Sequence, residues 1–238
     1  MGLLRDISKE SVYSIYKRYQ FKKLKAKGQS IINEYLRNSK SPKLHIGAGG
    51  SYLEGWLNVD LEPLKDTIAF MDAGTDYPIP TESINLVFSE HLFEHLTLDQ
   101  QVKMLSEVLR VLKPGGTVRI ATPNLDAILD IRGRGDQLVK DYLKWGAETY
   151  FPSQVKRFGD KAKNEIFIIN NYFYSWGHQF IHNPTTLRML LENAGFANIR
   201  QLKIFESKIV DFQNLETHGN VIPPQFNEME TMVFEAEK

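Results

Sequence analysis

Three glycines in four positions, Gly47, Gly49 and Gly50, separate two short apolar runs, Leu44 to Ile46 and Trp56 to Val59, and the second run ends on Asp60. Glycine suits a sharp bend of positive φ, or a backbone that a ligand must touch. A carboxylate at the tip of the next strand can accept hydrogen bonds from both hydroxyls of a ribose. A second acid, Asp72, follows the apolar run Ile68 to Met71. Farther on, Ser89, Glu90, His91, Glu94 and His95 fall within one short stretch. Histidine suits a general base because its ordinary pKa lies near neutrality. His91 is the first candidate by position, followed by His178 and His182, with Tyr174 as an orienting group. His91 to His95 also spells H-x-x-E-H, a metallopeptidase pattern, and Glu90 with Asn124 and Asp126 makes another set of donors. Both patterns are short, and no metal is assigned.

These residues need a scaffold. Apolar runs at Leu44 to Ile46, Trp56 to Val59, Ile68 to Met71, Ser83 to His91 and Thr117 to Ala121 read as strands. Leu98 to Leu112 reads as a helix, with Val102, Leu105, Val108, Leu109 and Leu112 on one face and K-P-G-G behind it. Strands alternating with helices call for a mostly parallel sheet, an α/β fold. Residues from about 126 to 182 break the pattern with many aromatic side chains, Tyr142, Trp145, Tyr172, Tyr174 and Trp176 among them. Such an insertion either builds a minor core or covers the ligand crevice at the carboxyl end of the strands; the covering lid is the favoured reading. Asn183 to Phe196 is then a helix with Pro184 near its start and Gly195 at its end, and Ile199 to Phe205 and Thr231 to Ala236 are the closing strands.

Residues 1–41 form a basic extension, helical from about 7 to 38 with Val12, Ile15, Tyr16 and Tyr19 at helical spacing. Its lysines and arginines, Arg5, Lys9, Lys17, Arg18, Lys22, Lys23, Lys25 and Lys27 among them, read as a solvated helix face or as a contact for anionic lipid or a phosphate-bearing substrate. The 238-residue chain has a formal net charge of zero, so global electrostatics name no partner. It contains no cysteine, which excludes disulfides, thiolate metal sites and a cysteine nucleophile. No apolar run has the length of a membrane span and no signal peptide is evident, so the cytoplasm is the expected compartment.

The order of these motifs resembles the class I S-adenosylmethionine-dependent methyltransferases, in their small-molecule branch. H-I-G-A-G-G with Asp60, Asp72 after the third strand, L-V-F-S-E-H-L-F-E-H-L after the fourth, and E-V-L-R-V-L-K-P-G-G-T-V before the fifth carry the likeness. It implies a Rossmann-like, seven-stranded, mostly parallel sheet with helices on both faces and an antiparallel last strand, in a methyltransferase domain spanning residues 42–238. It also implies S-adenosyl-L-methionine as cofactor and S-adenosyl-L-homocysteine as product. Gly47, Ala48 and Gly49 would meet the methionine part, Asp60 and Leu61 the ribose, Asp72 and Ala73 the adenine, and Ser89 and Glu90 the sulfonium side. Three departures stand out: His45 where an acid is common, a short gap from Gly47 to Asp60, and Asn85 where Asp is frequent.

The expected acceptor is a small molecule methylated at oxygen or nitrogen, a sugar or a lipid-linked intermediate. T-P-N-L at Thr122 to Leu125 is not the motif of nucleic-acid amino methyltransferases, which disfavours a nucleic-acid substrate. The alternative is a nucleic-acid- or membrane-associated protein whose fold binds the cofactor without turnover. The order G-A-G-G-S, with the second strand arriving so early, argues against a nicotinamide enzyme.

Overall fold

A computed structural model describes residues 3–238, with side chains from Tyr19 onward. Val12, Ile15, Tyr16 and the basic residues Arg5, Lys9, Lys17 and Arg18 therefore lie outside the described side chains. Seven strands form one sheet: β1 (Lys43–Ile46), β2 (Leu57–Asp60), β3 (Ala69–Phe70), β4 (Ile84–Glu90), β5 (Leu112–Pro123), β6 (Ala197–Leu202) and β7 (Thr231–Glu237). Their order across the sheet is β3-β2-β1-β4-β5-β7-β6. The first five run parallel, and β7 lies antiparallel between β5 and β6.

Strand alternation sorts the side chains between the two faces. Leu44, Ile46, Val59, Val87, Val118, Ile120, Met232 and Phe234 face the main core. That core is closed by α1 (Leu3–Asn38), α2 (Leu98–Val111) and α7 (Pro184–Ala194), through Ile32, Met104, Leu105, Val108, Leu187 and Leu191. Between β1 and β2 no helix forms, so α1 covers the β3 side of the sheet. It can approach because of Gly28: a Cβ there would sit 2.8 Å from the carbonyl oxygen of Phe70. The basic run therefore continues through Gly28 as one helix. Tyr35 of α1 ties the start of β1 to the loop before β2, accepting from Lys43 N at 2.9 Å and donating to Gly55 O at 3.0 Å. At α2, Thr97 and Gln100 form a reciprocal cap. K-P-G-G, expected as a break, is the first part of β5.

The opposite face is covered by the chain between β6 and β7, which carries two 3₁₀ turns and α8 (Pro224–Glu230). Residues 203–223 of this stretch form a strap. Phe212 of the strap packs with Trp56 and Phe88 in a second cluster. A fully buried guanidinium fastens it: Arg119 of β5 donates to Glu216 of the strap at 2.6 Å, to Glu235 of β7 at 2.8 Å and to the carbonyl of Glu206 at 2.9 Å. The second oxygen of Glu216 accepts from Phe205 N at 2.8 Å. Residues between β5 and α7 form the aromatic insertion, made of α3 (Leu125–Asp130), α4 (Gln137–Tyr150), α5 (Pro152–Phe158) and α6 (Glu165–Tyr174). Its Ile128, Val139, Tyr142, Ile168 and Tyr172 pack with Phe226 of α8 in a core of their own. No described helix is long and apolar enough to cross a membrane.

Two stability predictions arise here. Removing one partner of a buried ion pair strands the other charge, a cost of about 3–5 kcal/mol; Glu216→Ala should lower the urea midpoint by a corresponding amount. Burial alone would raise the Glu107 pKa, but hydrogen bonds from Arg110, from Tyr77 N and from Lys103 outweigh it and hold it at about 2, below the ordinary 4.5. The carboxylate is thus stabilising above about pH 4.5, and its contribution is lost as pH falls toward 2. Urea unfolding between pH 7 and pH 3 should show a shallower acid limb for Glu107→Gln than for the unmodified protein.

Candidate active site

In this sheet the chain order reverses between β1 and β4, and a crevice outside the carboxyl ends of the strands is expected at that point. The glycine bend leaves β1 at that place. Gly47 N and Ala48 N both donate to Val59 O at 3.0 Å, and Gly47 and Gly49 adopt φ of +77° and +47°. Asp60 braces the bend from the tip of β2: one carboxylate oxygen accepts from Gly49 N at 2.7 Å, the other from Glu62 N at 2.8 Å. A carboxylate oxygen can accept two hydrogen bonds, so each keeps capacity for a hydroxyl. A Cβ built at Gly49 or Gly50 would meet open space, whereas at Gly47 it would strike Leu92 at 2.9 Å. The bend is therefore open on its outer side and packed against the turn after β4 on its inner side.

The other anticipated binding residues gather at the same edge. Met71 N donates to Asp60 O at 2.9 Å, which brings the end of β3 alongside. Asp72 caps its own turn through Gly74 N at 2.9 Å and lines a cavity of about 340 Å³ with Phe21, Lys25 and Gln29 of α1. Ala73 is buried, and Leu61, beside Asp60, is 54% exposed. Ser89 is buried, and its hydroxyl oxygen has no hydrogen-bond partner among the described residues. An open backbone bend, an acid with spare acceptor capacity and an orphaned hydroxyl fit a nucleoside-bearing ligand. Glu90 has a different task. On the strap face, its carboxylate accepts from Thr217 N at 2.9 Å, Thr217 Oγ1 at 3.1 Å and His218 N at 3.0 Å. With the Ser51–Thr217 hydroxyl contact at 2.9 Å, this lays the strap across the glycine loop. His45, where an acid is common, also faces the strap side. Its Nδ1 meets Asn58 Oδ1 at 2.9 Å, and burial, opposed by Asn58 and Asp60, lowers its pKa to about 4. It is a neutral structural group.

The histidines converge beneath the insertion. A 3₁₀ turn at Phe93–His95 follows β4, and His91 enters it with φ of +45°. His91 Nδ1 lies 3.1 Å from Glu94 Oε1, its Nε2 lies 3.3 Å from Thr231 Oγ1, and its ring stacks on His218 at 3.8 Å. Burial alone would lower the His91 pKa, but the hydrogen bond to Glu94 and the charges of Glu94, Glu90 and Glu230 outweigh it and raise it. With both ring nitrogens engaged, His91 is placed as the partner of Glu94. His178 donates Nδ1–H to Tyr172 O at 2.7 Å, and burial lowers its pKa. Tyr172 therefore does the orienting that the sequence assigned to Tyr174, which is 85% exposed. His182 bonds Gln101 and Thr186 at 2.8 and 3.0 Å and belongs to the packing of α2 against α7. His95, named in the sequence only through the H-x-x-E-H pattern, has its ring 4.9 Å from that of His178, and Glu230, which accepts from Tyr142 at 2.7 Å, is the residue that sequence reading missed.

A family described as a methyltransferase domain matches residues 56–120. No curated protein sequence matches. A SAM-dependent methyltransferase from Archaeoglobus fulgidus shares 19% identity over 88% of this chain and 92% of its own, with a TM-score of 0.49. One from Mesorhizobium loti shares 13% over 83% and 90%, at 0.49. Phosphoethanolamine N-methyltransferase 2 of Haemonchus contortus, in complex with S-adenosyl-L-methionine, shares 15% over 88% of this chain and 52% of its own, at 0.41.

Gly47→Ala tests the bend. It adds a Cβ against Leu92 at a residue of positive φ and should cost about 1–3 kcal/mol. Leu92→Ala in the same chain should relieve the clash but not the backbone strain, so thermal midpoints should show only partial recovery.

Proposed function

We propose that this chain, a class I methyltransferase domain by its strand order and by the match over residues 56–120, uses S-adenosylmethionine to methylate a small acceptor at oxygen or nitrogen, a sugar or a lipid-linked intermediate. The observation that carries the reading is the glycine bend at the reversal point of the sheet, open at Gly49 and Gly50 and braced by Asp60. When bound, the cofactor supplies a methyl group on a sulfonium, transferred by in-line displacement. Such a reaction gains most from positioning and from exclusion of water. The residues divide accordingly. Asp60 offers its remaining acceptor capacity to ribose hydroxyls, the backbone at Gly49 and Gly50 admits the amino-acid portion, Asp72 takes the base, and the Ser89 hydroxyl faces the reacting side. Glu90 acts indirectly, by anchoring the strap whose Thr217 meets Ser51 beside the glycine loop. In this reading the aromatic insertion covers the acceptor, supported by the docking of its returning end on Glu94 O and by the contact of His178 with His95 of the turn after β4.

Calorimetry with S-adenosylhomocysteine tests the reading. The unmodified protein should bind one equivalent, and Asp60→Ala should weaken binding by about 10–100-fold, the worth of hydrogen bonds to a charged group. Absence of binding by the unmodified protein, or equal affinity in the variant, ends the proposal.

A further inference from the structure

We propose that Glu94, His95 and His178 form a binding site for a divalent transition-metal ion, zinc being the closest chemical match, which joins the aromatic insertion to the turn after β4. One ligand atom from each of the three lies within 4.8 Å of the other two. Two imidazoles and a carboxylate are the donor set of open zinc and non-haem iron sites, in which three protein ligands leave coordination positions free. Metal–donor bonds of about 2.0–2.1 Å place neighbouring donors about 3.3 Å apart in a tetrahedron, so the three groups need to draw together by about 1–1.5 Å. Trp176 and Gly177, just before His178, adopt φ of +58° and +79°, and side-chain rotation of Glu94, His95 and His178 supplies the remaining approach.

Three further features suit ligation. His178 Nδ1–H is committed to the carbonyl of Tyr172 at 2.7 Å, which leaves the lone pair on Nε2 and fixes the ring as second-shell hydrogen bonds do in metal sites. Among the described residues Glu94, fully buried, receives one donor on each oxygen, His91 Nδ1 at 3.1 Å and Thr122 Oγ1 at 3.0 Å, and so keeps acceptor capacity on both. The segment carrying His178 is docked on the residue that supplies the carboxylate: Gln179 N and Phe180 N both donate to Glu94 O, at 2.8 and 3.2 Å. The third ligand is thus held in place by backbone. His91 and His218 stand outside the set, His91 because both its nitrogens are engaged.

The full-length protein, stripped with a chelator and dialysed, is titrated with zinc by calorimetry and with cobalt(II) by visible absorption. One equivalent should bind, cobalt should show the d–d bands of a four- or five-coordinate nitrogen and oxygen site, and zinc should raise the thermal midpoint. His178→Ala and His95→Ala should each weaken zinc binding more than about 100-fold, beyond what loss of a second-shell partner does, and His218→Ala should leave the stoichiometry at one. Circular dichroism of each metal-free variant reports its folding. No saturable binding by the unmodified protein overturns the site, as does zinc affinity unchanged in both folded ligand variants, or lost equally in His218→Ala. Binding of S-adenosylhomocysteine, measured on the same samples, separates the proposals: zinc bound without nucleoside leaves this site standing, and nucleoside bound without zinc removes it.

Discussion

The carboxylate of Glu94 is the joint on which the edge of the sheet depends. It has no exposed surface, and its two oxygens reach in different directions, to His91 at the end of β4 and to Thr122 of β5. Its main-chain carbonyl holds the returning end of the insertion. Burial would favour the neutral acid, yet the hydrogen bond and positive charge of His91 outweigh it and keep the pKa low. A buried charge persists only where geometry supplies its partners. Here the partners come from two strands and a segment far along the chain, so the position of that one carboxylate fixes how they meet. The glycine bend is tied to the same turn from the other side, where Leu92 fills the space beside Gly47.

On the opposite face the same logic is written with the charges reversed. Arg119 sits where strand alternation calls for a side chain on the strap face, next to Ala121 and across from Glu235. It has no water to solvate it, and Glu216 and Glu235 replace that solvation. Glu90 repeats the device with neutral donors from the strap backbone. Residues 203–223 thereby cover apolar surface without a long helix, because charged anchors at Arg119 and Glu90 substitute for the periodic apolar stripe that a helix would bring.

The parts legible in the sequence were those carried by local rules. Apolar runs, the glycine bend, the amphipathic α2 and the stop at Gly195 each reside in a window of a few residues, and all five parallel strands stand near their expected places. The strap was not legible, because its anchors pair across long separations: Glu216 lies 97 residues from Arg119, and Thr217 lies 127 from Glu90. A run such as Asp211 to Glu216 reads as solvated loop until its partner is located. Tyr174 and Tyr172 show the limit at the scale of one helix turn. Two residues apart on α6 they point to nearly opposite sides, and aromatic content alone did not distinguish the side facing His178 from the side facing water. Gly28 lies inside the expected helix, and its role as the point where α1 crosses β3 depends on Phe70, which is distant in sequence.

The strand order carries a consequence for how the chain is made. β6 has one neighbour in the sheet, and that neighbour is β7, which is translated after it with the whole strap in between. Until residues 231–237 have left the ribosome, β5 presents an unpaired edge and β6 has nothing to lie against. A nascent chain in that state displays open strand edges, the kind of surface that invites pairing with other chains. Biogenesis of this domain is accordingly most exposed to chaperone dependence before β7 is complete, because a seven-residue strand must then slide between two segments already synthesised.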